Sequence, residues 1–283
     1  GKRIRPLSTL VAHQLYHDEV DLALPAALAM EVFHNFSLMH DDIMDESPLR
    51  RDHPTVHMQY DLNAAILSGD WMLIHSYELL AGYDASKALP MIKLLNKTGA
   101  EVCEGQQRDI NFESTMNVSE AAYIQMIQDK TAVLLGASLQ VGGYTAGAPA
   151  SDLDALYLTG INAGISFQLM DDYLDAFSPT SGKIKGGDVL QNKKTILFIH
   201  CLQEANETDR NQLLNWYQIQ TPSDEKISGV LHLFEKYQVP SFVKNMVQSY
   251  GQKSMKALDS ISVAQSRKTN LETLLTELLN RNK

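Results

Sequence analysis

Cys103 and Cys201 are the only cysteines in this 283-residue chain. Two are too few for a disulfide framework, and both lie in apolar stretches of helical spacing, so buried thiols in a reducing cytoplasm are expected. Alternating runs of β-branched residues are nearly absent, which argues against a β-sandwich or barrel. Positive charge is also scarce. Against 34 Asp and Glu stand 24 Lys and Arg, a formal net charge of −10, which excludes a general nucleic-acid binder because no basic face is available to displace counterions. No apolar run is uninterrupted: 22–39 carries Glu31, His34 and Asn35, so no transmembrane segment is expected. The HExxH, GxSxG, Walker A and dinucleotide-glycine signatures are missing too.

What is present is helical periodicity. With 44% hydrophobic residues recurring at i, i+3 and i+4, the chain reads as all-α and long enough for one large domain, 1–283. Helices are expected at about 7–17, from Pro25 to Glu46, and at 62–82, 88–113 and 119–143, the last capped by Ser119. Ser151 with Asp154 resembles a capping box that opens a further helix, and amphipathic helices follow near 193–206, 210–219, 223–237, 240–260 and 268–281. Ser47-Pro48 closes the second helix, since the residue before proline is pushed out of the α region. Polar loops fill 47–60 and 178–192. The chain opens on Gly1 without Met, and we expect it to begin inside a longer protein.

Two copies of an acidic pattern stand at the ends of apolar helices: Asp41-Asp42-Ile43-Met44-Asp45 and Asp171-Asp172-Tyr173-Leu174-Asp175. Positions i, i+3 and i+4 share a helix face, so each triad gathers its carboxylates together at a C-terminus, where the macrodipole opposes them. One such triad could be a solvated helix end; two point to divalent metal. Hard oxygen donors suit Mg²⁺ or Mn²⁺, and Mg²⁺ keeps open positions for water and phosphate. Each motif is followed by a cationic loop, with Arg50 and Arg51 after the first and Lys183, Lys185 and Gly186-Gly187 after the second. Lys130 heads the apolar run KTAVLLGAS, where partial burial beside an anion would account for it. His53 and His57 share ligand spacing but lie in a Pro-containing loop without a third soft ligand, so zinc is not expected there.

The strings DDIMDESPLRRDHPTVH, GQQRD at 105–109, KT at 130–131, FQLMDDYLD at 167–175 and GKIKGGDVLQNKKT at 182–195 occur in the order found in trans-isoprenyl diphosphate synthases. The chain resembles this polyprenyl synthetase family, which includes farnesyl and geranylgeranyl diphosphate synthases, from residue 1 to about 200. Two departures are visible: Asp52 stands where a Gly usually follows the double Arg, and the family's N-terminal helix is missing. The resemblance implies the isoprenoid synthase type I fold, helices around a deep central cavity, usually as a homodimer with about three Mg²⁺, for which Mn²⁺ could substitute. It also implies that Asp41 and Asp45 bind two metals and Asp171 the third, with Asp42, Asp172, Asp175, Gln106 and Asp109 completing or orienting the clusters. Arg50, Lys130, Lys183 and Lys193 would grip an allylic diphosphate. Lys2, Arg5, His34 and Arg51 would hold isopentenyl diphosphate, while Thr131 and Gln168 would flank a developing cation.

The activity so implied is a head-to-tail prenyltransferase. A class I terpene cyclase is the nearest rival, but it usually carries a single DDxxD and no double Arg; a non-catalytic partner subunit would tend to lose an acidic motif. Below DDIMD, Ser37 lies one turn and Phe33 two turns deeper, with Phe36 at the flank. These phenylalanines are either the floor that limits the product to C15 or C20, or plain core.

Overall fold

The structure, a computed structural model, describes residues 2–178 and 186–279. The expected all-α architecture is what it has, with one small exception. Helices α1 (Ile4–Gln14), α2 (Leu24–Met44), α3 (Val56–Gln59), α4 (Leu62–Ala81), α5 (Ala85–Ser114), α6 (Glu120–Ile127), α7 (Val133–Ala146) and α8 (Ala150–Phe177) come first. They are followed by α9 (Gly187–Leu190), α10 (Ile196–Glu204), α11 (Glu207–Trp216), α12 (Asp224–Lys236), α13 (Val239–Asp259) and α14 (Gln265–Leu279). The exception is a two-stranded antiparallel ribbon, β1 (Leu49–Arg50) and β2 (His53–Pro54), inside the expected 47–60 loop. Its turn residues Arg51 and Asp52 both have positive φ, 54° and 65°, as a tight two-residue hairpin demands. Glycine takes such a conformation most cheaply, and Asp is among the few other residues that tolerate it.

Polar caps set several helix starts. Ser119 accepts from the Ala122 amide at 3.2 Å, as expected from sequence, and Asp61, Asn206 and Ser223 cap α4, α11 and α12 in the same way. The Ser151 capping box does not form. Helix α8 begins at Ala150, the amides of Asp152 and Leu153 bond to the Pro149 carbonyl, and the Ser151 hydroxyl turns to Asp152. The helix expected over 119–143 is instead α6 and α7 joined by a π-helical turn, Gln128–Ala132.

The chain divides into two compact units, Gly1–Thr98 with Leu134–Tyr157 and Ser260–Leu271, and Gly99–Val133 with Leu158–Asp259 and Glu272–Lys283. In the first, α2 packs along α4 and against α1. Its core gathers Ala26, Ala29, Met30 and Phe33 of α2 with Leu80, Met91, Leu95, Leu134, Ala137 and Val141. The His40 ring of α2 lies over Gly69 of α4, where a Cβ would stand 2.3 Å from it. In the second, α10 packs on α6, α11, α12 and α13, and buries Phe198 against Tyr217 with ring centroids 4.2 Å apart. Cys201 is buried there and its thiol is pushed up to about 12 by burial, then by Asp209, which fits the expectation of an inert thiol; Cys103, by contrast, is exposed.

One stretch, Val20–Met44, is long and apolar enough to cross a membrane by length and composition, so the expectation from its interrupting polar residues was too strong. Only a third of its most apolar window is buried; Met30 and Phe33 lie within the core just described.

Candidate active site

The end of α2 carries the first acidic motif. Asp45 is the C-cap residue, its amide bonded to the Asp41 carbonyl, so this carboxylate cluster does sit at the negative end of a long helix. The three carboxylates are not equivalent. Asp42 turns inward, is 6% exposed, and takes Arg50 Nε on both oxygens at 2.8 and 2.7 Å. Asp41 and Asp45 are more open. The ribbon β1–β2 explains the geometry, because it delivers Arg50 back to the helix end from which the chain departed.

Two turns before Asp41, His34 Nε2 lies 2.9 Å from Arg5 Nη1. Burial first, then the charges of Arg5, Arg51, Arg50 and Arg3, lower the His34 imidazole to about 2, so it is neutral and can accept a hydrogen bond. Burial likewise brings Arg5 down to about 10, with Glu31 opposing and Arg51 adding to the shift. Arg5 Nε is buried without a hydrogen-bond partner among the described residues. Arg3 pairs with Glu31, and Lys2 is exposed nearby in sequence. A set of arginines around a neutral histidine, with a donor left over, is a place for an anion.

On the core side of His34, Phe33 is 1% exposed and meets Phe36 edge-on at 5.5 Å; Phe36 in turn meets His40 at 4.9 Å. Ser37 bonds back to the His34 carbonyl. His53 lies in β2 and His57 in α3, so they do not share one helix face.

In the second unit, α5, the π-turn and α8 bring the other candidates together. Lys130 Nζ pairs with Asp109 Oδ2 at 2.5 Å. Gly105, the first residue of GQQRD, makes this possible: a Cβ there would stand 2.3 Å from the Lys130 amide nitrogen. Gln106 is 6% exposed and both its amide atoms lack a partner among the described residues, an arrangement that costs about 1–3 kcal/mol unless a ligand or water meets them. The neighbouring Asp129 is held by Arg108 and by Gln125 at 2.9 Å.

Helix α8 ends in the second motif. Its middle aspartate, Asp172, is again the buried one, 5% exposed, and again its oxygens are taken by protein donors: Tyr123 Oη at 2.5 Å and Gln168 Nε2 at 3.1 Å. Thr131 Oγ1 donates to Gln168 Oε1 at 3.3 Å, so Thr131, Gln168, Asp172 and Tyr123 form one chain. Burial, then the charge of Asp172, pushes the Tyr123 hydroxyl well above its ordinary value and keeps it a donor. Burial, then Asp188, raises the Asp172 carboxyl, against the pull of its two hydrogen bonds. Asp171 and Asp175 are partly exposed. Asp175 receives the amides of Gly186, on its carbonyl at 2.8 Å, and of Asp188, on its carboxylate at 2.9 Å. Gly186 has φ 73°, and a Cβ on Gly187 would lie 3.1 Å from Asp175 Oδ1, which is why a glycine pair closes this turn. Lys193 sits 3.6 Å from Asp188. Lys183 lies outside the described residues.

Among the described residues, no three His, Cys, Asp or Glu side chains form a complete metal cage. An all-oxygen set of one or two open carboxylates per helix end is what Mg²⁺ takes when phosphate and water supply its other positions, so the donor chemistry fits that ion.

The family description "Polyprenyl synthetase" matches residues 1–234. The chain belongs to the polyprenyl synthetase family. This polyprenyl synthetase is 38% identical over 238 residues to a short chain isoprenyl diphosphate synthase of Methanocaldococcus jannaschii, covering 83% of this chain and 72% of that protein. It is 33% identical over 268 residues to a geranylgeranyl diphosphate synthase of Sulfolobus acidocaldarius, covering 93% and 81%. A solved geranylgeranyl pyrophosphate synthase superposes with a TM-score of 0.95 at 41% identity over 100% of this chain and 88% of that one. The fold is therefore the all-α isoprenoid synthase fold, and the protein is a trans-prenyltransferase.

Tyr123 went unmarked by sequence reasoning, and Gly105 and Asp188 entered it only as letters of the GQQRD and GKIKGGDVLQNKKT strings. No spacing announces the bond from Tyr123 to Asp172, 49 residues on, and the other two show their part only through backbone approaches.

Proposed function

We propose that this prenyltransferase condenses isopentenyl diphosphate head-to-tail with an allylic diphosphate in a Mg²⁺-dependent reaction, releasing diphosphate and an all-trans product of C15 or C20. One observation carries the reading: a single helix, α2, bears open carboxylates at its end and, two turns back, a neutral histidine ringed by arginines. Metal-bound and bare diphosphate call for those two chemistries.

Asp41, Asp45 and Asp171 would hold the ions. When bound, Mg²⁺ supplies positive charge to a departing diphosphate. Arg50, Lys130, Lys183 and Lys193 grip the allylic diphosphate, so the carbon–oxygen bond breaks with its electron pair leaving on oxygen. Arg5, Arg51, Lys2 and neutral His34 hold the second diphosphate and aim its double bond, whose electron pair makes the new carbon–carbon bond. A proton then leaves the adjacent carbon for the released diphosphate. The carbonyl end of Gln168 and the Thr131 hydroxyl face the transient cation, and apolar side chains exclude water. Phe33 and Phe36 set the product length. If Phe36→Ala and Phe33→Ala both leave that length unchanged, they are core and nothing more.

The protein works as a homodimer in this reading. Leu67, Trp71 and Ile74 share an exposed apolar face of α4, with Trp71 63% and Ile74 67% exposed, and a second copy would cover it.

Arg5→Ala tests the carrying observation. It is expected to raise KM for isopentenyl diphosphate by about 10-fold or more, with KM for the allylic substrate little changed. Equal loss for both substrates, or none for either, would remove this anion site from the account.

A further inference from the structure

Gln168 can present either end of its amide to a neighbour, and only its hydrogen bonds decide which. A carboxylate accepts and does not donate. With Asp172 Oδ1 3.1 Å from the Gln168 side-chain nitrogen, the nitrogen end is committed to Asp172 and the carbonyl end to Thr131 Oγ1 at 3.3 Å. Asp172 can hold that orientation only if it is itself fixed, and its other oxygen is fixed by Tyr123 Oη at 2.5 Å from the buried face of α6. Ser119 caps α6, and α10 packs on it, so the tyrosine stands on a firm element.

We infer that Tyr123 is a positioning residue which, through Asp172, keeps the carbonyl oxygen of Gln168 turned toward the reacting centre. The inference rests on the reading of Thr131 and Gln168 as the pair that faces the allylic cation. In that place an oxygen lone pair stabilises positive charge, and an NH₂ group in its stead would oppose it. The same contacts make Asp172 an anchor for Gln168, in parallel with Asp42, both of whose oxygens accept from Arg50 Nε.

The test compares Tyr123→Phe, Asp172→Asn and Gln168→Ala in the full chain, with the thermal midpoint of each measured first. Tyr123→Phe removes the hydroxyl and is expected to lower kcat by about 10- to 100-fold, leaving both KM values and the Mg²⁺ half-saturation within about threefold. Combined with Gln168→Ala it should cost no more than Gln168→Ala alone, since the two act through one amide. Asp172→Asn keeps an acceptor for Tyr123 but offers an NH₂ to Gln168, which reverses the Gln168 amide. It is expected to lower kcat even where Tyr123→Phe fails to fold. Titration of inorganic diphosphate with Mg²⁺ by calorimetry should give the wild-type affinity for both variants. An unchanged kcat in Tyr123→Phe and Asp172→Asn, additive losses, or a Mg²⁺ or diphosphate affinity that falls in step with kcat would overturn the inference. Gln168→Ala with wild-type kcat would instead remove the reading of Gln168 on which it rests.

Discussion

His34 shows how much a single residue's chemistry depends on its neighbours. Its imidazole is held at about 2 by burial and by four arginines, against an ordinary value of 6.5. A histidine whose folded value is depressed binds fewer protons folded than unfolded, so its contribution to stability is present above 6.5 and is lost as pH falls toward 2. Denaturant unfolding at a series of pH values should show stability declining below 6.5, with His34→Gln flattening that decline. The same substitution should leave the slope above that pH untouched. Asp52 is a second such case. At φ 65° it stands in the left-handed region, where Gly is favoured and a β-branched residue is strained. Asp52→Gly is therefore expected to keep activity and midpoint, whereas Asp52→Val should lower the thermal midpoint by a few degrees and, by disturbing the turn that presents Arg50, lower kcat as well. The sequence marked His34, Arg50 and the odd Asp52 because motif order singles them out. It left hidden that Asp42 and Asp172 face inward, since both residues of each Asp pair look alike in a string of letters.

At the scale of elements, periodicity was sufficient for the helices and insufficient for their joints. Helices α2, α4, α12 and α13 fall within a residue or two of the expected bounds because each has a cap, a proline or an amphipathic stripe that announces it. The π-turn at Gln128–Ala132 and the ribbon at 49–54 announce themselves in no such way, yet they aim Lys130 and Arg50. Gly105 controls the first of these joints. A methyl group there would meet backbone, not a flexible side chain, so Gly105→Ala must push α5 and the π-turn apart. We expect a destabilisation of about 1–3 kcal/mol in urea unfolding, together with a loss of kcat of about 100-fold as Lys130 and Asp109 lose register. A variant that lost stability but kept its kcat would show that the close approach serves packing alone.

For the molecule as a whole, the all-α class and the family were legible in the sequence, and the relatives bear both out. A homodimer is an implication of the resemblance, and the proposal made above puts its surface on the exposed apolar residues of α4. Trp71→Asp should convert a dimer into a monomer of 31.6 kDa by light scattering, because Trp71 is 63% exposed and its replacement empties no core. An unchanged mass would place the interface elsewhere. The central claim is a Mg²⁺-dependent chain elongation. The most direct measurement incubates the protein with isopentenyl diphosphate and, in turn, dimethylallyl, geranyl and farnesyl diphosphate, with and without Mg²⁺, and identifies the products by mass spectrometry. C15 or C20 all-trans diphosphates that form only with Mg²⁺ are predicted; no condensation product from any starter would contradict the account.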